Sequence, residues 1–332
     1  MTRVAVIGAG SWGTALSIVA ARAGNSVTIW ARSPSVVHSI NSEHVNNAYL
    51  PHVPVPEQVV ATTHFPEALK DVEFVILAAP SHATRELLKS MAPEVPRGAV
   101  IVSATKGIEV ETGRRISELV DGLLHESYSR SFVCLSGPSF AKEVVAGHPT
   151  AIVAASTDPL SSSAVQSLLS FENLRIYTND DVIGTELAGS VKNVMAIAAG
   201  MVAGLGFGSN SVAALITRGL AETTRLAVKA GARIETLMGL AGLGDLVLTC
   251  TGGLSRNRFV GFELGRGRAL NDIVGSMSEV AEGINTTKAV RALARQYDVE
   301  MPITEEVYRV LYEGKRAHDA ASELMNRPLR GE

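Results

Sequence analysis

The first half of the chain alternates short apolar runs with stretches of helical periodicity. Helical patterns include Trp12–Ala23, Arg85–Met91, Gly113–His125 and Pro159–Leu169. Alternating strands and helices are typical of an α/β protein with a parallel, doubly wound sheet. The runs that predict strands are Val4–Ile7, Val27–Trp30, Val59–Thr62, Phe74–Ala78, Ala99–Ser103, Phe132–Leu135, Ala151–Ala155 and Leu174–Thr178.

The pattern changes near Asn179-Asp180-Asp181. Beyond it, helical stretches separated by glycine turns replace the strand runs, and the first of them extends from Val182 to Leu205. We therefore predict two domains, an α/β domain over residues 1–181 and an all-helical C-terminal domain over residues 182–332.

The first predicted strand runs into a glycine-rich turn, Gly8-Ala9-Gly10-Ser11-Trp12-Gly13. In a G-x-G-x-x-G pattern between a strand and a helix, Gly8 permits the sharp turn and Gly10 lets a pyrophosphate approach the backbone. Gly13 lets the helix pack closely on the strand. An ordinary tight turn is the alternative, but the position after an N-terminal strand favours dinucleotide binding.

Arg32 follows the second predicted strand, where an acidic residue would bind the ribose 2′-hydroxyl of NAD. No acidic residue occurs in Ile29-Trp30-Ala31-Arg32, and an arginine suits the 2′-phosphate of NADP. This favours NADP, with NAD possible. The alternative is a solvated loop arginine.

Polar residues follow three further predicted strands, at the edge where ligands bind such sheets. They are Ser81, Lys106 and the segment Ser136-Gly137-Pro138-Ser139. Lys106 is a cation for substrate oxygens. Ser139 has the pattern of a helix N-cap, which alone would explain a serine there.

Lys192 lies on the long helix after residue 181 among small and apolar residues, Ala188-Gly189-Ser190-Val191. A desolvated lysine has its pKa lowered from about 10.4, as a proton acceptor requires. A surface lysine whose stem crosses the helix edge is an equal alternative.

Ser255 can cap a helix whose first turn holds Arg256 and Asn257. Such a helix start, with arginine and amide donors, suits a phosphate. The alternative is an exposed arginine paired with Glu263 or Asp245.

Composition limits the remaining functions. The 332 residues are 46% hydrophobic and 19% charged with a net charge of −3, so a large core is expected and a nucleic-acid surface is not. Cys134 and Cys250 show no metal-ligand spacing, so we predict no metal site. The longest apolar run, Val194 to Gly208, is too short to span a bilayer. Because the first strand begins at once, we expect no signal peptide and a cytoplasmic protein.

Taken together, these segments resemble the bacterial-type NAD(P)-dependent glycerol-3-phosphate dehydrogenases over almost the whole chain. The motifs that carry the resemblance are Gly8–Ala15, Ala104–Gly107, Ser136–Ala141, Val191–Asn193, Gly239–Leu246 and Ser255–Asn257.

The resemblance implies an N-terminal Rossmann-type domain, a helical C-terminal domain and a homodimer. It also implies reversible oxidation of sn-glycerol 3-phosphate to dihydroxyacetone phosphate, for phospholipid synthesis. Lys192 would be the proton acceptor. The implied substrate contacts are Lys106, Gly137, Ser139, Lys192, Asp245, Ser255, Arg256 and Asn257. The implied cofactor contacts, besides Gly8, Gly10 and Gly13, are Ser11, Trp12, Arg32, Tyr49, Lys106, Ala141, Arg256, Val280 and Glu282.

Two other functions fit part of the pattern. A related two-domain dehydrogenase would act on a β-hydroxy acid or its CoA ester, but the predicted phosphate site favours a phosphorylated triol. A dinucleotide-binding redox sensor would need the glycine turn but neither the lysine nor the substrate-side cluster.

Overall fold

The computed structural model describes residues 1–124, 131–277, 281–328 and 331. The chain divides into two compact units. The first comprises Met1–Lys106 and Arg114–Glu186, and the second comprises Gly107–Gly113 and Leu187–Glu332. The predicted domain boundary at residue 181 stays a prediction.

The first unit is built on an eight-stranded sheet with a separate two-stranded hairpin. Its central strands are buried on both faces, as strands of a parallel sheet covered by helices must be. The strands are Arg3–Ile7 (β1), Ser26–Trp30 (β2), Val45–Asn46 (β3), Leu50–Pro54 (β4), Val59–Thr62 (β5), Phe74–Leu77 (β6), Val100–Ser103 (β7), Phe132–Ser136 (β8), Thr150–Ala155 (β9) and Leu174–Asn179 (β10).

The order of strands in the large sheet is β10-β9-β8-β7-β6-β1-β2-β5. The chain winds outward from β1 in one direction and returns beside it as β6, so β1 and β6 flank the point where the winding reverses. Ligands of doubly wound sheets bind beyond the carboxyl ends of strands at such a point. The glycine turn, which follows β1 directly, lies there.

Seven helices accompany these strands in the described part of the first unit. The predicted helix Pro159–Leu169 is matched residue for residue, and Trp12–Ala23 is shifted by one. The predicted helix Gly113–His125 is shorter in the structure, and His125 lies outside the described residues. The helices are Ser11–Arg22 (α1), Pro34–Glu43 (α2), Phe65–Ala68 (α3), Ser81–Met91 (α4), Ile116–Leu123 (α5), Ala141–Val145 (α6) and Pro159–Leu169 (α7).

Two features of the first unit differ from the predicted fold. The strands β8 and β9 pair antiparallel, with Cys134 opposite Ala155, whereas the other neighbours in the sheet are parallel. The hairpin of β3 and β4 was not predicted either. Two prolines in Leu50–Pro54 interrupt its strand pattern, which is how prolines mark an edge strand.

The described residues of the second unit form helices joined by turns and contain no strand, as predicted. A π-helical turn, Leu240–Gly244, precedes its fourth helix. Its helices are Val182–Gly204 (α8, shared with the first unit), Ser209–Lys229 (α9), Ile234–Met238 (α10), Asp245–Thr251 (α11), Arg256–Gly265 (α12), Leu270–Gly275 (α13), Gly283–Gln296 (α14), Pro302–Tyr312 (α15) and Ala317–Met325 (α16).

Helices α8 and α12 approach closely through glycines. A Cβ added to Gly200 would lie 2.1 Å from the carbonyl oxygen of Arg258, and one added to Gly261 would lie 1.9 Å from that of Ile197. Any larger residue at either position would push the helices apart. This packing holds the start of α12 beside the part of α8 that carries Lys192.

Among the described helices, α8 is long and apolar enough to cross a membrane. However, 83% of its most apolar window is buried within the protein. It therefore has the character of a core helix.

Glu222 on α9 caps the first turn of α15. Its Oε1 accepts a hydrogen bond from the Ile303 N–H at 2.7 Å and its Oε2 accepts one from the Thr304 N–H at 3.4 Å. Burial raises the pKa of Glu222 from 4.5 to about 7, against the opposing effects of these hydrogen bonds and of the charges on Arg225 and Arg327. The folded protein therefore favours the protonated carboxyl.

Because this pKa is higher in the folded state, the contribution of Glu222 to stability is complete below about pH 4.5 and is lost as the pH rises through 7. We expect the wild type to lose stability relative to Glu222→Gln as the pH is raised from 5 to 8. Over this range its unfolding free energy should fall by about 3 kcal/mol relative to that of the variant. Urea unfolding at both pH values measures it, with the exposed Glu235→Gln as the control. A pH-independent difference would contradict the prediction.

Candidate active site

The glycine turn after β1 has the backbone geometry that its glycines were predicted to allow. Gly8 has a φ of +118°, and a Cβ there would lie 2.9 Å from the backbone of Ala78. A Cβ on Gly13 would lie 1.8 Å from the Gly8 carbonyl oxygen, so the helix can pack on the strand only with glycine. A Cβ on Gly10 would meet no atom within 4 Å among the described residues. The backbone at Gly10 is therefore open to a ligand.

The N-terminus of α1 adds polar groups at the same place. The first N–H groups of a helix have no partner within it and favour anions. The indole Nε1 of Trp12, in the first turn, is buried and has no hydrogen-bond partner in the described part of the chain. The Ser11 hydroxyl donates to the Tyr49 carbonyl at 2.6 Å. An open backbone at a helix start, beside an unpaired donor, fits the pyrophosphate of a dinucleotide.

Arg32 lies two residues beyond β2 and is exposed. Within the described ranges it makes no ion pair with an acidic side chain. Two hydroxyls follow it in the chain, those of Ser33 and Ser35, which are 2.7 Å apart. An exposed cation beside hydroxyl donors can bind a phosphate, but it also matches a solvated loop arginine.

Lys106 and Ser139 converge on one backbone oxygen. The Lys106 ammonium and the Ser139 hydroxyl each donate to the Gly137 carbonyl, both at 3.0 Å. Gly137 has a φ of +139°, and a Cβ there would lie 2.9 Å from the Ile152 Cα. The strained turn after β8 thus requires glycine, and it holds a cation and a hydroxyl side by side.

Ser139 is not the helix cap that its sequence pattern predicted. Helix α6 begins at Ala141, its N-cap position is Phe140, and no side chain caps it. The Ser139 hydroxyl donates back to Gly137 instead. Ala141, a predicted cofactor contact, is the first residue of this helix and is half-buried.

Lys192 is buried, which excludes a surface lysine. It is 7% exposed, and its Nζ donates to Asp245 Oδ1 at 2.6 Å and to Thr249 Oγ1 at 2.7 Å. Asp245 is 1% exposed. The buried carboxylate compensates the charge of the ammonium and fixes its direction.

The contact between Thr249 and the lysine was not predicted from the sequence. Thr249 lies one helical turn after Asp245 on α11, so both side chains share one face of the helix. That i, i+4 spacing is the signal that identifies it. Its hydroxyl donates to the Asp245 carbonyl at 2.6 Å and so presents its lone pair to the lysine.

Cys250 lies next to this pair but is chemically inert. Burial, with the charge of Asp245 adding to it, raises its pKa from 9.0 to about 12, although Lys192 and Arg258 act in the opposite direction. Because the thiolate is the reactive form, Cys250 remains a neutral, buried thiol.

The predicted cap at Ser255 is present at the start of α12. The Ser255 Oγ accepts a hydrogen bond from the Arg258 N–H at 3.2 Å. Arg256, in the first turn, is exposed, whereas Asn257 is buried. The cap therefore leaves one donor side chain at the surface and turns the other inward.

Asn257 links three segments of the second unit. Its Nδ2 donates to Asn193 Oδ1 at 2.9 Å, and its Oδ1 accepts a hydrogen bond from the Gly283 N–H at 2.9 Å. Asn193 is the residue after Lys192, and its part in this link was not predicted. Glu282, a predicted cofactor contact, is half-buried at the N-cap of α14. Val280, another, lies outside the described residues.

The glycine turn lies at the reversal point of a doubly wound sheet, and the helical unit buries a lysine–carboxylate pair. Together these features define a nicotinamide-dependent dehydrogenase. Two family models match the chain in succession. The N-terminal model of NAD-dependent glycerol-3-phosphate dehydrogenase covers residues 3–161, and the C-terminal model covers residues 181–322. The chain belongs to this family. It is an oxidoreductase, and its cofactor is a nicotinamide dinucleotide.

Individual relatives agree with the family assignment. The chain is 52% identical over 330 residues to a glycerol-3-phosphate dehydrogenase (NAD(P)+) from Koribacter versatilis, covering 99% of this chain and 98% of the relative. It is 49% identical to the enzyme of that name from Geobacter sulfurreducens, with the same coverage. The crystal structure of glycerol-3-phosphate dehydrogenase from Coxiella burnetii is 42% identical. It superposes with a TM-score of 0.94 over 98% of this chain and 99% of that one.

Proposed function

We propose that this chain interconverts sn-glycerol 3-phosphate and dihydroxyacetone phosphate, with Lys192 exchanging the proton at the C2 oxygen. The observation that carries the proposal is the buried lysine with two fixed partners, Asp245 and Thr249. These two hydrogen bonds hold the Lys192 amine at a fixed position in a buried setting. That is what a proton carrier at a hydroxyl carbon requires.

The dinucleotide, when bound, supplies or accepts the hydride at C2. In alcohol oxidation, Lys192 takes the proton that the C2 hydroxyl loses. In ketone reduction, it donates a proton to the oxygen that becomes the hydroxyl. Asp245 keeps the lysine oriented during both oxidation and reduction, and it stabilises the ammonium that forms when the alcohol is oxidised.

We propose that the substrate phosphate binds at the start of α12, where Ser255 caps the helix and Arg256 is exposed. Helix N–H groups and a guanidinium together suit a dianionic phosphate. Lys106, which follows β7, would contact the substrate together with Gly137 and Ser139 in the turn after β8. Binding energy gained at the phosphate, away from the reacting carbon, would position C2 for reaction.

Oxidation of a panel of alcohols tests the substrate assignment. We expect turnover with glycerol 3-phosphate and very little with glycerol, which lacks the phosphate. A β-hydroxy acid is the third substrate, because the related two-domain dehydrogenases act on that class. Preference for the β-hydroxy acid would contradict the proposal, and dinucleotide binding without turnover of any alcohol would indicate a redox sensor.

We propose NADP as the preferred cofactor, because Arg32 is an exposed cation at the end of β2 where NAD-specific sheets carry an acidic residue. The other proposed cofactor contacts are Gly8, Gly10, Ser11, Trp12, Gly13, Tyr49, Lys106, Ala141, Arg256, Val280 and Glu282.

Arg32→Ala is expected to raise the KM for NADPH much more than the KM for NADH. A charge-assisted contact of this kind contributes about 1.5–3 kcal/mol, or roughly a ten- to hundredfold difference between the two cofactors. Steady-state kinetics with each cofactor measure it, and the exposed Arg233→Ala is the control. Equal changes for both cofactors would contradict a 2′-phosphate role for Arg32.

The physiological setting follows from the resemblance to the family. We propose a cytoplasmic homodimer that supplies glycerol phosphate for phospholipid synthesis, without nucleic-acid partners or membrane insertion. We also propose that the functional domains divide near residue 181.

A further inference from the structure

Asn46, in the hairpin that follows α2, contacts the glycine turn. It is fully buried, and its Nδ2 donates to the Ala9 carbonyl at 2.9 Å and to the Thr14 hydroxyl at 2.8 Å. Its Oδ1 accepts a hydrogen bond from the Tyr49 N–H at 3.2 Å. The orientation of the amide is fixed, because the Ala9 oxygen can only accept and the Tyr49 nitrogen can only donate.

A second hydrogen bond joins the same two segments, and here the donor lies on the helix. The Ser11 hydroxyl, at the start of α1, donates to the Tyr49 carbonyl at 2.6 Å. The loop from Asn46 to Tyr49 is thus bonded to the middle of the glycine turn and to the first turn of the helix. We call this loop the brace.

The brace contacts a segment whose backbone has high intrinsic freedom. Gly8 and Gly10 flank Ala9, and glycines lose more backbone entropy on ordering than other residues do. A ligand that had to order this turn on binding would lose about 1–2 kcal/mol per residue fixed. Hydrogen bonds made before binding remove that loss, which is how preorganisation raises affinity.

We propose that Asn46 is a positioning residue for the dinucleotide. By holding the Ala9 carbonyl, it fixes the peptide planes of the glycine turn, so that the N–H groups at the start of α1 face the pyrophosphate before the ligand arrives. Asn46 acts through the backbone of the turn and does not itself bind the dinucleotide. The inference rests on the proposed role of the glycine turn in cofactor binding.

The test compares Asn46→Ala with Asn25→Ala. Asn25 is a buried asparagine near the other end of α1, and its Nδ2 donates to the carbonyls of Ala20 at 2.9 Å and Leu168 at 3.3 Å. Both substitutions remove a buried amide with two acceptors from the same unit. A merely structural role of Asn46 would therefore give both variants the same phenotype.

The Kd of NADPH is measured by nicotinamide fluorescence on the protein without substrate, together with thermal unfolding and steady-state kinetics. We expect Asn46→Ala to bind NADPH about ten- to a hundredfold more weakly, the effect of two lost hydrogen bonds. Its KM for NADPH should rise while kcat at saturating NADPH stays close to that of the wild type. Asn25→Ala should lower the unfolding temperature comparably and bind NADPH as the wild type does.

Binding by Asn46→Ala within twofold of the wild type would overturn the inference, as would an equal loss in Asn25→Ala. If Asn46→Ala does not fold, Thr14→Val, which removes one of the two acceptors, takes its place. A loss of affinity of about threefold supports the inference and unchanged affinity overturns it. A wild-type protein that binds neither NADPH nor NADH would instead refute the proposed cofactor role of the turn.

Discussion

Lys192→Ala is expected to abolish turnover while NADPH binding remains near that of the wild type. General acid–base catalysis by a positioned group contributes about 10²- to 10⁴-fold to rate, and Lys192 is the buried amine proposed for the reacting oxygen. The dinucleotide is proposed to bind elsewhere, at the glycine turn. Single-turnover reduction of dihydroxyacetone phosphate and fluorescence titration with NADPH measure the two effects.

The structure requires a control for stability in this experiment. Loss of the lysine removes the ammonium partner of the buried Asp245, and removing one partner of a buried ion pair costs about 3–5 kcal/mol. Lys192→Met keeps most of the stem, and Lys192→Met with Asp245→Asn also removes the carboxylate charge. We expect the double variant to regain stability but not turnover. The exposed Lys229→Ala should resemble the wild type, and wild-type turnover in Lys192→Ala would exclude Lys192 from the mechanism.

Arg256→Ala is expected to cost about 2–5 kcal/mol in kcat/KM for dihydroxyacetone phosphate, the range for truncating one partner of a charge pair that the bound substrate would bury. Arg256 is exposed at the capped start of α12, where it can meet a phosphate that the ligand brings. Arg256→Lys should recover only part of the loss, because lysine lacks the planar fork of the guanidinium. The loss should be much smaller for unphosphorylated dihydroxyacetone, a very poor substrate in either background.

The same arginine is also proposed to contact the cofactor, so NADPH affinity has to be measured in parallel. Arg266→Ala, an exposed arginine at the other end of the same helix, is the matched control. If Arg256→Ala binds NADPH poorly but keeps the wild-type ratio between the two ketones, Arg256 serves the cofactor. The phosphate would then bind at Asn257 or Lys106.

The strands of the large sheet could be predicted almost to the residue. A strand that is buried on both faces has a short, continuous apolar sequence, which is easy to recognise. The direction of β9 could not be predicted, since Thr150–Ala155 is equally apolar in either orientation. The hairpin of β3 and β4 was missed because its prolines and exposed residues hide the strand pattern. The brace, which depends on that hairpin, was therefore missed too.

The candidate site was predictable where neighbours in sequence make it. The conformations at Gly8 and Gly13, and the cap at Ser255, are local and follow from the pattern. The burial of Lys192 was left open, because the amphipathic stem of a lysine allows both outcomes. Its pairing with Asp245, 53 residues away, depends on tertiary packing that local patterns do not record. At Ser139 the local pattern was misleading. Its sequence predicted a helix cap, but its hydroxyl donates a hydrogen bond to the Gly137 carbonyl instead.

The most direct test of the central claim is the absorbance of reduced nicotinamide when the wild-type protein receives NADPH and dihydroxyacetone phosphate. We predict consumption of NADPH that depends on dihydroxyacetone phosphate, with one glycerol 3-phosphate formed per NADPH. Little consumption is expected with dihydroxyacetone or with a β-keto acid. A folded protein that binds NADPH but consumes none with dihydroxyacetone phosphate, or that prefers the β-keto acid, would contradict the claim.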